Sequence, residues 1–505
     1  MPNYEGEEVV ATKEEIGALA GKIALLNDNV MSDRIPSYSN RMKNLNCFKN
    51  MIGENLDLIS QALMADLNQA DPTPHLTDCL GEVDYMISNL QSLMKPKSLT
   101  SEVSLVNFPA TAKLVPEPLG TVLIVGTWNF PFHAALGPVP GALAAGNRVV
   151  VKPGSLSRNS SRVISELVSK YFSAEDMVCV EGGIEVMTPI LNEYSWGHIF
   201  FTGSTRIGKI VMQAAAQHLT PVTLELGGKS PCIVTASADI SLAARRIAWG
   251  KWAINAGQVC IAPDHVLVDA CVADEFVGEL KKYMFKFFDK TYCRIISKSH
   301  VKRLNNILDR DKKFIAESPT TESEDPLVVV PHILDFDSDW SAFKSSACMQ
   351  EEIFGPVLPI IRYKSMAEVD AYLASCRSQR SQSPLAFYIF TKNEYSLASS
   401  IAAGAVVVND TGMHIAEVCL PFGGTGASGM GGYHGKKSFE VLTHYKPVLY
   451  KSGWLDIPFR YPPFTKMGNR VVGFLLWLGR KNVTPLRIGK VLCILFIGYK
   501  LLFIK

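Results

Sequence analysis

The sequence predicts an α/β protein whose main element is a doubly wound, mostly parallel β-sheet. Between Thr121 and Thr235, short runs rich in β-branched residues alternate with longer segments of helical periodicity, which is the pattern of repeated βαβ units. The runs are apolar almost throughout, as is typical of strands buried on both faces. A chain of 505 residues is also too long for one core, so two or three domains are expected.

Four strands are predicted in this region, each followed by a turn and a helical segment. A helical segment over 61–95 and a proline-punctuated extended segment over 98–118 precede them, and a second α/β region is predicted over 225–418. A doubly wound nucleotide-binding sheet fits the first region best. The four predicted strands are Thr121–Val125, Arg148–Lys152, Met177–Glu181 and His198–Thr202.

The composition indicates a globular protein of a reducing compartment. Hydrophobic residues make up 47% of the chain and charged residues 19%. The 11 cysteines are scattered and none is spaced CxxC, so neither a disulfide framework nor a metal site is predicted. The first ten residues resemble neither a signal peptide nor a transit peptide. A net charge of +2 offers no electrostatic surface for nucleic acid, so no nucleic-acid partner is expected.

The C-terminal segment, residues 446–505, has a different character. It contains eleven Lys and Arg residues against the single acid Asp456, together with two apolar blocks beyond Gly468. The second block, Val491–Ile504, would be about 21 Å long as a helix, against a hydrocarbon core of about 30 Å. Membrane association of this tail is predicted, with a helix packed on the body or on a dimer partner as the alternative.

Three polar side chains are candidate catalytic residues, and each of them also has an ordinary structural explanation. Cys260 in "NAGQVCIAPDH" could be a nucleophile, a metal ligand or a small buried hydrophobe. Asn129 in "GTWNFPFH" could donate to an oxyanion or cap a turn before Pro131. Glu225 in "TLELGGKSP" could be a general base or an ordinary carboxylate at a strand end.

Two further stretches suit the binding of a cofactor. In "FTGSTRIGK", Gly203 and Gly208 would let the backbone approach a pyrophosphate at a helix N-terminus, although a plain strand-to-helix turn fits as well. In "EEIFGPVLPI", Glu351 and Glu352 precede an apolar run, where they could also be a solvated strand entry.

Taken together, "WNFP", "LELGGKSP", "GQVC" and "EEIFGPV" resemble, in this order and spacing, the aldehyde dehydrogenase superfamily. The stretches "AAAQHLTPVTLELGGKSPC" and "LPFGGTGASGMGGYHGKKSFE" and the basic, hydrophobic C-terminus are similar to its class 3, the fatty aldehyde dehydrogenases. The resemblance covers nearly the whole chain. It implies an NAD(P)-binding domain of Rossmann type over residues 1–96 and 118–224, and a catalytic domain over residues 225–418. Residues 97–117 and 419–445 would form bridging or oligomerisation segments, and residues 446–505 a membrane-associating tail.

The resemblance also implies roles for individual residues. Cys260 would be the nucleophile that forms a thiohemiacetal and then a thioester, with Asn129 and the backbone N–H of Cys260 as oxyanion donors. Glu225 would be the base that activates the hydrolytic water. Glu352 would hold the nicotinamide ribose. The residues implied in cofactor binding are Trp128, Lys152, Gly203, Ser204, Gly208, Glu352 and Phe354.

The expected cofactor is NAD, with NADP as a second candidate, because one position departs from the family pattern. Family members usually carry Glu three residues after the ribose-binding lysine, and this chain has Ser155. Without that carboxylate, the site loses hydrogen bonds to ribose hydroxyls and also a charge that would repel a 2′-phosphate.

The function implied is the oxidation of medium- and long-chain aliphatic aldehydes to carboxylic acids. By resemblance, the enzyme would be a homodimer on the endoplasmic reticulum membrane, with its catalytic body facing the cytosol. Acylation of coenzyme A is disfavoured because enzymes of that kind typically lack the glutamate found here at position 225. A catalytically weakened paralogue that acts as a membrane-bound scaffold is the other alternative, which Ser155 leaves open.

Overall fold

The computed structural model describes residues 35–480 and the single residues 21 and 23, except residues 70, 104–106, 108–109, 289–291, 321–322, 379–382, 394 and 454–460. The chain divides into two compact units, residues 1–93 with 118–443 and residues 94–117 with 444–505. Both sheets of the larger unit are flanked by helices in the chain order βαβ, which confirms the predicted α/β class.

Helices and strands are numbered here in chain order. The α-helices are α1 Tyr38–Gly53, α2 Leu56–Leu67, α3 Thr73–Leu93, α4 Pro131–Leu136, α5 Val139–Ala145, α6 Arg158–Tyr171, α7 Ile184–Glu193, α8 Thr205–Gln217, α9 Ile240–Ala248, α10 Ala273–Phe287, α11 Lys298–Asp311, α12 Trp340–Ser345, α13 Ala347–Gln350, α14 Met366–Ser378, α15 Leu397–Ser400, α16 Lys436–Val441 and α17 Lys466–Arg480. The strands are β1 Lys97–Ser98, β2 Ala110–Pro118, β3 Thr121–Val125, β4 Arg148–Lys152, β5 Met177–Cys179, β6 His198–Gly203, β7 Val222–Leu226, β8 Pro231–Val234, β9 His265–Asp269, β10 Ile315–Glu317, β11 His332–Asp335, β12 Val357–Tyr363, β13 Ala386–Phe390, β14 Ala405–Val408, β15 Gly429–Met430 and β16 Thr443–Lys451.

The first sheet of the larger unit has the strand order β15-β7-β6-β3-β4-β5. Its strands are parallel except β15, which runs antiparallel to β7. β3 and β4 have the predicted bounds. β5 ends at Cys179, two residues early, where its pairing with β4 stops, and β6 continues to Gly203 because that residue still pairs with Leu226.

The predicted helical segment 61–95 is divided between two helices. Asn68 has a φ of 59° and ends α2 in the left-handed conformation. Pro72 comes four residues later, and α3 begins at Thr73. The prediction of one continuous segment was wrong, because periodicity alone does not register a left-handed cap.

The two faces of the first sheet differ in polarity. Successive strand residues point to opposite faces. Phe201 and Leu224 belong to an apolar cluster on one face. Glu225, the next residue after Leu224, therefore points to the other face, where the ring of Phe200 meets Tyr433 edge-on at 5.1 Å. The general-base candidate thus lies on the polar side of this sheet.

The second sheet has the strand order β10-β11-β12-β9-β8-β13-β14 and is parallel except where β10 meets β11. Its first strand in the chain is β8, at Pro231. Glu225 lies within β7, so the change of sheet comes after Leu226, and a boundary at residue 225 falls inside a strand of the first sheet. The domain limits themselves stay predictions.

The smaller unit contains the three-stranded sheet β1-β2-β16 and helix α17. An ion pair joins Glu117 and Lys446 within it. Among the residues that the structure describes, no helix is long and apolar enough to cross a bilayer. The predicted apolar block Val491–Ile504 lies outside those residues.

Candidate active site

The carboxyl ends of the parallel strands in the first sheet meet at one edge. Asn129 follows β3, Lys152 ends β4, Ser204 follows β6, and Glu225 is the penultimate residue of β7. Because β7, β6, β3 and β4 are neighbours in the sheet, these side chains belong to one crevice of the type that binds nucleotides in doubly wound folds.

Cys260 lies in a turn that is entered through an unusual backbone conformation. The three residues Asn255, Ala256 and Gly257 have φ values of 46°, 48° and 76°, all in the left-handed region that favours glycine. At Gly257 a Cβ atom would collide with the carbonyl of Gly355. This run turns the chain so that Cys260 is partly exposed rather than packed in a core.

Gln258 holds this turn in place. Its side-chain amide donates to the backbone carbonyls of Arg294 and Asn255, at 2.9 Å and 3.2 Å, and its side-chain oxygen accepts from the backbone N–H of Ile296 at 3.1 Å. The side chain is completely buried. Sequence analysis missed Gln258, although its position two residues before Cys260 in "GQVC" was a usable signal.

Asn129 is joined directly to the nucleophile turn. Its Nδ2 donates to the carbonyl of Gln258 at 2.9 Å, and its own carbonyl accepts from Nδ2 of Asn255 at 2.8 Å. An amide nitrogen carries two hydrogens, so one N–H of Asn129 remains for an oxyanion. The structure therefore brings Asn129 and Cys260 to the same place, although they are far apart in sequence.

The resting thiol of Cys260 is protonated. Burial, followed by the negative charges of Glu352 and Glu225, raises its pKa to about 12, while the backbone N–H groups of Cys260 and Ile261 act in the opposite direction. Formation of the thiolate therefore requires a base or a positive charge brought by a ligand.

Glu225 has the environment of a general base. The residue is only 4% exposed, and neither carboxylate oxygen has a hydrogen-bond partner among the described residues. Burial raises its pKa well above the usual value for a glutamate. A carboxylate of raised basicity with free oxygens can take a proton from a water molecule or a thiol.

Asp264 connects three parts of the site. It forms a buried ion pair with Lys229, accepts from the backbone N–H of Ile353 at 2.9 Å, and lies 3.3 Å from Nδ1 of His265. Burial acts to raise the pKa of Asp264, but the charge of Lys229, the hydrogen bond with His265 and the charge of Lys251 together hold that pKa below its usual range. Sequence analysis did not single out Asp264, because a lone aspartate in "APDH" carries no distinguishing pattern.

Glu352, Phe354 and Trp128 form the second group of predicted cofactor residues. A Cβ atom at Gly227 would collide with the carboxylate of Glu352, so a larger residue at Gly227 would displace that carboxylate. Burial, then Asp264, raises the pKa of Glu352 to about 8. Phe354 has a φ of 46°, and its ring meets Trp128 edge-on at 5.5 Å. These residues surround the same crevice as Cys260, whose pKa responds to Glu352.

The remaining cofactor candidates fit a dinucleotide. Ser204 caps α8 by accepting from the N–H of Ile207 at 3.4 Å, and the N-terminus of this 13-residue helix favours an anion. A Cβ at Gly208 would lie 2.6 Å from Cδ2 of Leu226, so glycine permits close packing of the helix on β7. Lys152 is buried, and its Nζ donates to the carbonyl of Pro153.

Comparison with known proteins agrees with this geometry. Residues 34–448 match the sequence profile of the Aldehyde dehydrogenase family. The chain is a member of the aldehyde dehydrogenase family. Its activity is that of an oxidoreductase that oxidises aldehydes, and the predicted resemblance to this family and its fold is confirmed.

Several aldehyde dehydrogenases are similar over most of the chain. Aldehyde dehydrogenase family 3 member A2 of Rattus norvegicus is 39% identical, covering 88% of this chain and 91% of the relative. The dimeric NADP-preferring aldehyde dehydrogenase of the same species is also 39% identical, covering 86% and 95%. The solved structure of the substrate-bound state of Staphylococcus Aureus AldH is 35% identical, with a TM-score of 0.83, covering 90% of this chain and 99% of that one.

Proposed function

We propose that this aldehyde dehydrogenase oxidises medium- and long-chain aliphatic aldehydes to carboxylic acids, with Cys260 as the nucleophile. The observation that carries the proposal is the meeting of three elements in one crevice: the turn that presents Cys260, the amide of Asn129 and the buried carboxylate of Glu225. This arrangement disfavours the scaffold alternative. Burying a carboxylate without hydrogen-bond partners destabilises the fold, and a non-catalytic protein would gain nothing in return.

In the first half of the reaction, the Cys260 thiol loses its proton to solvent and the sulfur attacks the aldehyde carbonyl. The second N–H of Asn129, together with the backbone N–H of Cys260, stabilises the oxyanion of the thiohemiacetal. NAD or NADP, when bound, supplies the hydride acceptor. Lys152, Ser204 and Glu352 would hold that cofactor at the crevice edge, and the product of this half-reaction is a thioester on Cys260.

In the second half, Glu225 removes a proton from the water molecule that attacks the thioester. Collapse of the tetrahedral intermediate breaks its carbon–sulfur bond and releases the carboxylic acid, and the proton held by Glu225 passes to the sulfur of Cys260. The raised pKa of Glu225 suits the role of general base, since a stronger base abstracts a proton from water more readily.

Cofactor choice is proposed to depend on Ser155, a half-buried residue in the turn after β4. The test is to follow reduced cofactor with decanal and either NAD or NADP, in the native enzyme and in Ser155→Glu. We expect activity with both cofactors in the native enzyme and a larger NAD-over-NADP ratio of kcat/KM in the variant, because the new carboxylate would bind ribose hydroxyls and repel a 2′-phosphate. Absence of reduced cofactor in every reaction would refute the proposed function. An unchanged ratio would refute only the role of Ser155.

A membrane location is proposed from the tail and from similarity to the family 3 relatives. Helix α17 exposes Phe474, Leu476 and Trp477 and carries Lys466 and Arg470. Exposed aromatic and basic side chains on one helix are typical of segments that lie in a membrane interface. By the same similarity, we propose the endoplasmic reticulum with the body facing the cytosol, and a homodimer.

A chain that ends near Gly468 should be released from liposomes, keep its activity on hexanal, and lose efficiency on long-chain aldehydes embedded in the bilayer. Apolar burial of about 25 cal/mol per Å² should hold the complete chain on the membrane even at moderate salt. Co-flotation with liposomes measures this, with the complete chain as the control. If the 505-residue chain does not float with the liposomes, or if the shortened chain unfolds, the membrane proposal is wrong and the tail packs against the rest of the protein.

A further inference from the structure

The connection between α2 and α3 lies against the segment 292–296. The backbone N–H of Arg294 donates to the carbonyl of Leu67 at 3.0 Å. Close by, Nε2 of Gln69 donates to the sulfur of Cys293 at 3.3 Å. Two residues of the connection are therefore bound to two consecutive residues of that segment, and these bonds fix the one against the other.

The segment 292–296 in turn holds the nucleophile turn. The side-chain amide of Gln258 binds it with both ends, donating to the carbonyl of Arg294 and accepting from the backbone N–H two residues later. The carbonyl of Gln258 accepts from the side-chain amide of Asn129 at 2.9 Å. A first route of contacts therefore leads from Gln69 to the candidate oxyanion donor Asn129.

A second route leads from Gln69 to the same residue through two aromatic rings. Oε1 of Gln69 lies 2.7 Å from Nε2 of His75. The completely buried ring of His75 packs on the ring of Phe130, with 4.7 Å between the ring centroids. Phe130 directly follows Asn129 in the chain. The two ends of one glutamine side chain therefore contact both supports of Asn129.

The bond between His75 and Gln69 determines how the His75 ring is held. Burial, then the charge of His133, lowers the pKa of His75 to about 3, so the ring is neutral. An amide oxygen only accepts hydrogen bonds, so Nε2 of His75 carries the ring hydrogen and donates it to Gln69. Among the described residues, Nδ1 of the ring has no partner. Without Gln69, the buried N–H would lose its acceptor and the ring would have to move.

The direction of the second N–H of Asn129 depends on both routes. The bond to Gln258 occupies one hydrogen of the amide, and the packing of Phe130 on His75 places the backbone from which the side chain extends. An oxyanion donor acts only within about 2.7–3.1 Å of the charge that forms. A misplacement of about 1 Å can lower a rate about 100-fold. A small shift of either support should therefore weaken the stabilisation of the oxyanion.

We propose that Gln69 and His75 are positioning residues that keep the amide of Asn129 where the oxyanion forms beside Cys260. This inference rests on the proposed function, since it takes Asn129 as the oxyanion donor and Cys260 as the nucleophile. Gln69 and His75 act through Asn129 and the nucleophile turn, and they have no part in proton transfer or in binding the cofactor.

The experiment compares Gln69→Met, His75→Ala and the double variant with the native enzyme, using NAD and hexanal. Methionine matches glutamine in length but forms neither hydrogen bond, and alanine removes the ring. Stopped-flow absorbance should show a first turnover of reduced cofactor that is roughly 10-fold slower in each single variant. The loss in the double variant should be smaller than the product of the two single losses, because one link is then cut twice.

The affinity for NAD, measured without aldehyde by the quenching of tryptophan fluorescence, should stay native in all three variants. A merely structural role would lower this affinity together with the rate. Gln61→Met is the matched control, because Gln61 is an exposed glutamine of the same helix α2 that precedes the connection. The control should have the native rate and the native affinity.

Native first-turnover rates in both single variants would overturn the positioning role. So would losses that multiply in the double variant, or a weaker affinity for NAD that accompanies the slower turnover. If His75→Ala does not fold, Gln69→Met decides alone, since Gln69 is only half-buried. A native enzyme that forms no reduced cofactor would overturn the proposed function and the positioning role with it. An active native enzyme with unaffected variants removes the positioning role alone.

Discussion

Replacement of Cys260 by alanine should abolish aldehyde oxidation and leave cofactor binding nearly intact. The substitution removes the only atom that can form the thiohemiacetal and the thioester in the proposed mechanism. It should not disturb the turn, because the hydrogen bonds that hold it come from Gln258 and Asn255 rather than from the side chain of Cys260. A loss of activity would therefore result from the missing nucleophile and not from unfolding.

The measurement is the rate of cofactor reduction with hexanal, together with cofactor affinity from the quenching of tryptophan fluorescence. Cys271→Ala is a matched control, because Cys271 is exposed on the surface and lies in the turn after β9. The control should retain native activity. More than a few per cent of native turnover in Cys260→Ala would remove Cys260 from the mechanism.

Glu225→Gln should slow hydrolysis far more than hydride transfer. General-base catalysis contributes roughly 10²- to 10⁴-fold, and glutamine cannot accept a proton. Reduced cofactor should therefore appear in a rapid burst of about one equivalent, followed by slow turnover. Stopped-flow absorbance measures both phases. Native steady-state rates in this variant would mean that another residue activates the water.

The same substitution should raise the thermal stability of the protein at neutral pH. Since burial raises the pKa of Glu225 in the folded state, the folded protein binds a proton that the unfolded chain has lost above about pH 4.5. The free energy of unfolding of the native enzyme thus falls as pH rises through that range, and glutamine removes this dependence. A higher Tm with lower turnover would show that the carboxylate is kept for chemistry at the expense of stability.

The strands of the nucleotide-binding sheet were predictable because local sequence determines them. Runs such as "TVLIV" and "RVVVK" consist almost wholly of β-branched and apolar residues, and their limits in β3 and β4 agree with prediction. The left-handed run at Asn255, Ala256 and Gly257 was not predictable, because asparagine and glycine only tolerate positive φ and alanine disfavours it. The hydrogen bond from the side chain of Asn255 to the backbone carbonyl of Asn129 is a tertiary contact that holds this run.

Only those residues of the candidate site that lie in recognisable motifs could be predicted from the sequence. Cys260, Asn129 and Glu225 were identified through resemblance, and their roles stay proposals. Gln258 and Asp264 were missed because their importance lies in buried contacts with segments distant in the chain. The buried contact between His133 and Tyr433 joins two segments that lie far apart in the chain, and no local pattern in either indicates that these side chains meet.

Asp264 joins three separate segments of the chain. Its ion pair with Lys229 reaches the segment after β7, and its bond to the N–H of Ile353 reaches the segment that carries Glu352. Removing one partner from a buried ion pair costs about 3–5 kcal/mol. A substitution at Asp264 should therefore loosen the segment after β7 and the segment that carries Glu352 at the same time, so that one distant change alters both the base side and the cofactor side of the crevice.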